Sequence, residues 1–142
     1  MAYIWTFTLL DDAYFFLNRA KSMTDTPSAK RGKGRFIRSS VLFSWQALEE
    51  ATKSRLKHLS PATMPKKFSE KLKLALTLQG TLQAFREADF YRHYKLRNDI
   101  IHVNHNAPDP AFSDAEEMFN YCKDMLQGLH PRDEILVTID PI

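Results

Sequence analysis

The chain has 142 residues, of which 44% are apolar and 26% charged, and it carries a formal net charge of +3. This size and composition predict one soluble globular domain over residues 1–142, and the mildly basic balance permits an anionic partner without requiring one. The one cysteine, Cys122, excludes an intrachain disulfide and favours a reducing compartment.

The first helix is predicted over residues 8 to 23, where apolar side chains recur at helical spacing. The aromatic and β-branched residues at positions 3 to 8 also suit a short strand. The amino-terminal segment has no basic lead and no small-residue cleavage site, and Asp11 and Asp12 interrupt it. We therefore expect neither a signal peptide nor a membrane span, and a cytoplasmic protein without a membrane partner.

Residues 24 to 38 are predicted to form a linker, because Pro27, Gly32 and Gly34 fall within it and such residues interrupt helices. This linker is the most basic segment of the chain. It is interpreted either as a solvated, mobile loop or as an RNA-binding arm that contacts phosphates. Its cationic residues are Lys30, Arg31, Lys33, Arg35 and Arg38.

The second helix is predicted from residue 39 or 40 to residue 59. A stripe of small residues along one side of it would allow another helix to approach closely, so we expect this helix to be central. Glu49 and Glu50 lie on the same helix, and a carboxylate turned inward there would need a cationic partner. The stripe consists of Ser40, Ser44, Ala47 and Ala51.

Three more helices are predicted after a proline-rich break at residues 60 to 65. The third covers residues 68 to 78 and is ended by Gly80, and the fourth runs from about residue 82 to 103. The fifth covers residues 113 to 127, with Ser113 and Glu116 as a capping box and Gly128 as its C-cap signal. With a β-prone tail at 134 to 139, the pattern predicts an all-α, up-and-down bundle of four or five helices, with short β segments possible at the termini.

The strongest chemical signal lies near the end of the fourth helix, where Arg97 and Asn98 are followed by His102. An arginine can hold a phosphate through two parallel hydrogen bonds, and a histidine can move a proton near neutral pH. On an ideal helix Arg97 and His102 lie about 140° apart around the axis, so one straight helix does not place them together. Either the helix distorts near its end, or a second subunit contributes its own copy.

A helical chain of this size with Arg-Asn, three intervening residues and His near the end of a late helix resembles the HEPN superfamily. Arg97, Asn98 and His102 match the hallmark of that superfamily, in which Arg and His are separated by four to six residues. The resemblance implies a metal-independent endoribonuclease that acts as a homodimer. In that reading His102 is the general acid or base, Arg97 binds the phosphate, and Asn98 orients either the imidazole or the phosphate by hydrogen bonds.

The same resemblance implies the kinds of partner to expect. Many family members are toxins of toxin–antitoxin pairs or defence proteins, often encoded beside a small nucleotidyltransferase, and others bind RNA without cleaving it. It therefore implies RNA, an antitoxin or a nucleotidyltransferase-like protein as partners. The four glycines form no P-loop or dinucleotide fingerprint, so no nucleotide cofactor is expected.

Three other interpretations remain open. Arg97 could have a structural role by pairing with Asp99, Asp89 or Glu50, while His102 interacts with the helix dipole. Asp99, His102 and His105, with His93 upstream, have the spacing of metal ligands, but only Glu49 and Glu50 are available to complete the site from another helix. The bundle could also be a non-catalytic interaction module that scaffolds a protein partner.

Overall fold

Five α-helices make up the fold in the computed structural model, which describes residues 4–103 and 106–131. The helices are α1 (Ile4–Lys21), α2 (Pro27–Leu59), α3 (Phe68–Gln79), α4 (Glu87–Ile101) and α5 (Phe112–Leu129), and a 3-10 turn (Leu82–Ala84) precedes α4. No strand occurs in these two ranges, which confirms the predicted all-α class. Residues 4 to 8, which also suited a short strand, belong to α1, so that interpretation is wrong for them. Residue 3 and the β-prone tail at 134 to 139 lie outside the described residues.

The predicted linker at residues 24 to 38 is wrong, because most of it forms the amino-terminal part of α2. Pro27 occupies the first turn, where its missing N–H costs nothing and its fixed φ favours the helix. A helical glycine costs roughly 1 kcal/mol relative to alanine, but packing against α1 outweighs that cost. Phe16 stacks on Phe36 with ring centroids 5.9 Å apart, and a Cβ on Gly32 would lie 2.8 Å from the Met23 methyl group.

The small-residue stripe of α2 lies in the core, as the sequence predicted. Ser40, Ser44, Ala47 and Ala51 are all fully buried, and the Ser40 hydroxyl donates a 2.8 Å hydrogen bond to the backbone oxygen of Ala13 on α1. Helix α2 contacts α1, α3, α4 and α5, so it is the central element of the bundle.

The predicted fourth helix is divided in two. Gly80 ends α3 in the left-handed conformation with φ of 76°, as its position suggested. The chain then makes the short 3-10 turn, becomes extended at Phe85, and begins α4 at Glu87. The Phe85 ring packs 5.5 Å from the Phe90 ring, so burial of an aromatic side chain accounts for the break.

Helix α5 begins and ends near its predicted limits, but its caps differ. The carboxylate of Asp114 accepts a 2.7 Å hydrogen bond from the Ala111 N–H, so Ser113 and Glu116 do not form the capping box. Gly128 lies inside α5 and not beyond its end. There it permits a close approach, because a Cβ at this position would lie 3.0 Å from Leu76 Cδ2 of α3.

Candidate functional site

Arg97 lies in the last turns of α4 and is held by two acceptors. Its Nη1 donates a 2.8 Å hydrogen bond to Asn98 Oδ1, and its Nη2 lies 3.7 Å from Glu49 Oε1 on α2. The side chain remains 27% exposed. This ionic partner, Glu49, was not among the partners that the sequence suggested for Arg97. Two of the suggested carboxylates pair elsewhere, Asp99 with Lys95 at 2.7 Å and Asp89 with Arg92 at 3.6 Å.

An aromatic cluster sets the position of Arg97 relative to α2. Trp45 is buried on α2, with its ring 5.4 Å from Phe90 and 6.0 Å from Tyr94 of α4. Glu49 follows Trp45 by one helical turn and Arg97 follows Tyr94 by nearly one turn, so both point to the same side of this contact. The ion pair therefore follows from the packing of the three rings.

Glu49 places a half-buried carboxyl group beside the candidate phosphate-binding arginine. Burial raises the pKa of Glu49, the Arg97 guanidinium lowers it by a smaller amount, and Glu50 raises it further. An ionised Glu49 would compete with a phosphate for Arg97, and a protonated one would not. The protonation state of Glu49 therefore affects how strongly Arg97 can bind an anion.

His102 is the C-cap residue of α4 and is exposed to solvent. Its backbone N–H donates a 2.9 Å hydrogen bond to the Asn98 carbonyl oxygen. Val103 follows in the left-handed region with φ of 48°, which is strained for a β-branched residue. Strained backbone of this kind is often found at functional sites.

One chain does not bring Arg97 and His102 to a common point. The Arg97 side chain is turned toward α2, whereas the exposed His102 follows about 140° farther around the helix axis. The backbone is helical through Ile101, and the His102 N–H still bonds to the Asn98 carbonyl oxygen, so the angle expected from helix geometry applies to these two backbone positions. Asn98 contacts Arg97 through its side chain and His102 through its backbone.

The basic segment lies on the first three turns of α2, so the interpretation as a mobile loop is wrong. Lys33 forms a 2.9 Å ion pair with Asp25 and is largely buried, with 17% of its side chain exposed. Lys30, Arg31, Arg35 and Arg38 are exposed. Together with residues 109 to 113, this part of α2 lines a groove of about 850 Å³.

The structure also shows that His93, which the sequence analysis named only in the metal-site interpretation, is buried. His93 is 2% exposed, and its ring packs 4.6 Å from the ring of Tyr121 on α5. Burial, reinforced by the adjacent Arg92, lowers the pKa of His93 to about 4, although nearby carboxylates oppose the shift. Its spacing of three and seven residues from the core-facing Leu96 and Ile100 was the signal that could have placed it inside.

Cys122 and the possible metal ligands complete the set of titratable groups. Cys122 is fully buried in α5, and burial raises the pKa of its thiol. Among the residues that the structure describes, no three His, Cys, Asp or Glu side chains are grouped to hold a metal ion. His105 of the metal-site interpretation lies outside those residues.

No helix in the described ranges is both long enough and apolar enough to cross a membrane. Comparisons with known protein families, with curated proteins and with solved structures gave no match.

Proposed function

We propose that this protein is a homodimeric, HEPN-type ribonuclease that cleaves RNA without a metal ion. The proposal rests on the solvent exposure of the motif formed by Arg97, Asn98 and His102. His102 is exposed at the end of α4, and Arg97 is partly exposed one and a half turns earlier. A site that must take up a phosphate and exchange a proton requires both features.

A dimer is proposed because the surface of α4 beside the motif is apolar. Tyr91, Tyr94 and Ile101 are 48%, 38% and 44% exposed. Their spacing places them within about 80° of one another around the helix, beside the contact of Tyr94 with Trp45. Exposed apolar surface of this kind commonly marks an interface. Twofold packing along it would bring two copies of Arg97 and His102 into one cleft, which supplies the proximity that a single chain lacks.

The residues suit transfer of the RNA phosphate to the neighbouring 2′-hydroxyl. One His102 would remove the 2′-hydroxyl proton as the oxygen attacks phosphorus, and the 5′-oxygen would leave with a proton from the second subunit's copy. Arg97 would bind the non-bridging oxygens as negative charge builds up on them. The products are a 2′,3′-cyclic phosphate and a free 5′-hydroxyl. If the protein is a toxin, an antitoxin or a nucleotidyltransferase-like protein is its partner.

A second candidate is a non-catalytic module that binds a protein partner. The contacts of Arg97 with Glu49 and Asn98 favour it, because they already satisfy part of the guanidinium. The exposed apolar side of α4 would then bind a different protein. The ribonuclease should cleave RNA, whereas the binding module should leave it intact.

The deciding experiment incubates the purified protein with a fluorescent single-stranded RNA in EDTA. We expect cleavage by the wild type and a loss of roughly 10²- to 10⁴-fold in His102→Ala, the range for loss of a general acid or base. The matched control is His58→Ala, since His58 is exposed near the end of α2. Intact RNA with the wild type, or equal cleavage by His102→Ala, would contradict the proposal.

A further inference from the structure

We propose that the groove between the first turns of α2 and the start of α5 binds the phosphates of single-stranded RNA. This inference rests on the proposed function and deepens it, because it assigns the path along which the substrate is held. The groove has a volume of about 850 Å³, within the roughly 300–1,000 Å³ range of binding pockets.

The charges that line the groove favour an anion. Lys33 and Asp25 form an ion pair and largely cancel each other. Lys30, Arg31 and Arg38 remain on the wall formed by α2, and Asp109 is the one other carboxylate that lines the space. In the described part of the chain no ion pair engages these three cations, so a surplus of two positive charges faces the groove.

Gly34 gives Arg38 room to lie along the groove. A Cβ at Gly34 would come within 3.1 Å of Arg38 Nη1, so the end of the flexible Arg38 side chain would have to shift by a few tenths of an ångström. The glycine therefore lets the Arg38 guanidinium lie close to the α2 backbone beside the groove.

A second cavity, of about 440 Å³, continues from this groove toward the candidate acid or base. Arg38, Asp109 and Pro110 line both cavities, and the second one extends to Val103. Val103 is the residue directly after His102. Asp99, whose carboxylate pairs with Lys95 at 2.7 Å, also lines the second cavity, so this cavity offers a concave path beside the motif but no surplus of cations. The phosphates of the strand are therefore held in the first groove.

The shape and the lining favour a single strand over a duplex. The opposite wall includes Phe112, a half-buried aromatic residue at the start of α5, and Ser113, whose hydroxyl can hydrogen-bond to a phosphate or sugar. Sites for single strands commonly combine a positively charged groove with aromatic side chains that stack on bases. Duplex RNA cannot unstack a base to use such a ring.

The test measures binding of a 12-nucleotide labelled RNA by fluorescence anisotropy, with His102→Ala present throughout to prevent cleavage. The groove variant combines Lys30→Gln, Arg31→Gln and Arg38→Gln. Its matched control combines Lys57→Gln, Lys66→Gln and Lys67→Gln, which remove three exposed cations elsewhere. Circular dichroism confirms that each variant is folded.

We expect the groove variant to raise the Kd at least about 10-fold and the control to raise it less than about 3-fold. Loss of three phosphate contacts should also reduce the salt dependence of log K by about 2, since each contact to a single strand contributes roughly 0.7. Equal weakening in both variants, or equal binding of duplex RNA, would overturn the proposal.

The binding result is separable from the proposed function. If the wild type leaves RNA intact while binding depends on the groove, the nuclease fails and the groove assignment stands. If the wild type cleaves RNA but binding does not depend on Lys30, Arg31 and Arg38, the groove assignment fails and the nuclease stands.

Discussion

Arg97 Nη2 of α4 and Glu49 Oε1 of α2 lie 3.7 Å apart, so the candidate phosphate-binding group already faces an acidic side chain. Both side chains are partly exposed, and an ion pair of this kind contributes little to stability, about 0–1 kcal/mol. The pair can change phosphate binding at Arg97 more than it changes the free energy of unfolding.

We predict that Glu49→Gln strengthens RNA binding and lowers KM by about 3-fold, because it removes a negative charge next to the site of a bound phosphate. Steady-state cleavage assays at low ionic strength will measure this. Glu50→Gln is the control, because it removes the neighbouring charge without touching Arg97. A higher KM in Glu49→Gln would show instead that the carboxylate is needed to position the guanidinium.

We predict that Val103→Gly stabilises the protein by about 1 kcal/mol. Val103 has φ of 48° and is 64% exposed, so glycine relieves the strain and little packing is lost. The greater freedom of glycine in the unfolded chain opposes part of this gain. Thermal and urea unfolding will measure it, with Val103→Ile as a control that keeps the β-branch. A Tm for Val103→Gly below that of the control would be inconsistent with a strained residue.

Stability should decrease in mildly acidic solution because of His93. The pKa of His93 is lowered from 6.5 to about 4 in the folded protein, so between these values the unfolded chain binds more protons. Neutral His93 therefore contributes its full stabilisation above pH 6.5, and the free energy of unfolding falls toward pH 4 by about 3 kcal/mol, since one pKa unit corresponds to about 1.4 kcal/mol.

Urea unfolding at several pH values will measure this dependence, which we expect to be reduced in His93→Gln but not in the exposed-histidine control His58→Gln. Asp11 and Glu49 have raised pKa values and shift the curve in the opposite sense, since protonation favours the folded state for such carboxyl groups. All the variants retain Asp11 and Glu49, so the difference between a variant and the wild type does not contain their contribution. An unchanged pH dependence in His93→Gln would mean that His93 is not the group responsible.

We predict that Gly128→Ala destabilises the protein by about 1–2 kcal/mol, although alanine is the better helix former. The added Cβ would lie 3.0 Å from Cδ2 of Leu76, which is fully buried and has little room to move. Gly32→Ala is the matched control. Its Cβ meets only the end of the flexible Met23 side chain, so it should be neutral or stabilising. Denaturant midpoints that rank the two variants in the reverse order would show that Leu76 can shift.

Helical periodicity predicted the helices well where the local signals agreed with packing. The third helix was predicted to start at Phe68, where α3 starts, and Gly80 ends it. The start of α2 was missed because Pro27, Gly32 and Gly34 were interpreted as breakers. A proline in the first turn favours a helix. The packing of Phe36 on Phe16 of α1 stabilises this part of α2, and the local sequence does not reveal that tertiary contact.

The candidate site, too, was predictable only where local helix geometry determines it. Helix geometry alone gives the angle between the Arg97 and His102 positions, because α4 is helical up to the residue before His102. The partner of Arg97 depends on how α4 crosses α2, which the rings of Trp45 and Tyr94 determine. The sequence suggested Asp99 and Asp89 on the same helix and Glu50 on α2, whereas the pairing with Glu49 required the tertiary arrangement.

Helix α2 has 33 residues and no interruption, so it is a rigid spacer about 50 Å long. Arg38 and Glu49 are eleven residues apart on it, a fixed axial distance of about 16 Å. An RNA that touches the groove and also reaches Arg97, which pairs with Glu49, must span a distance of that order. Chain length alone would then decide which oligonucleotides are bound at both points, whatever their base sequence.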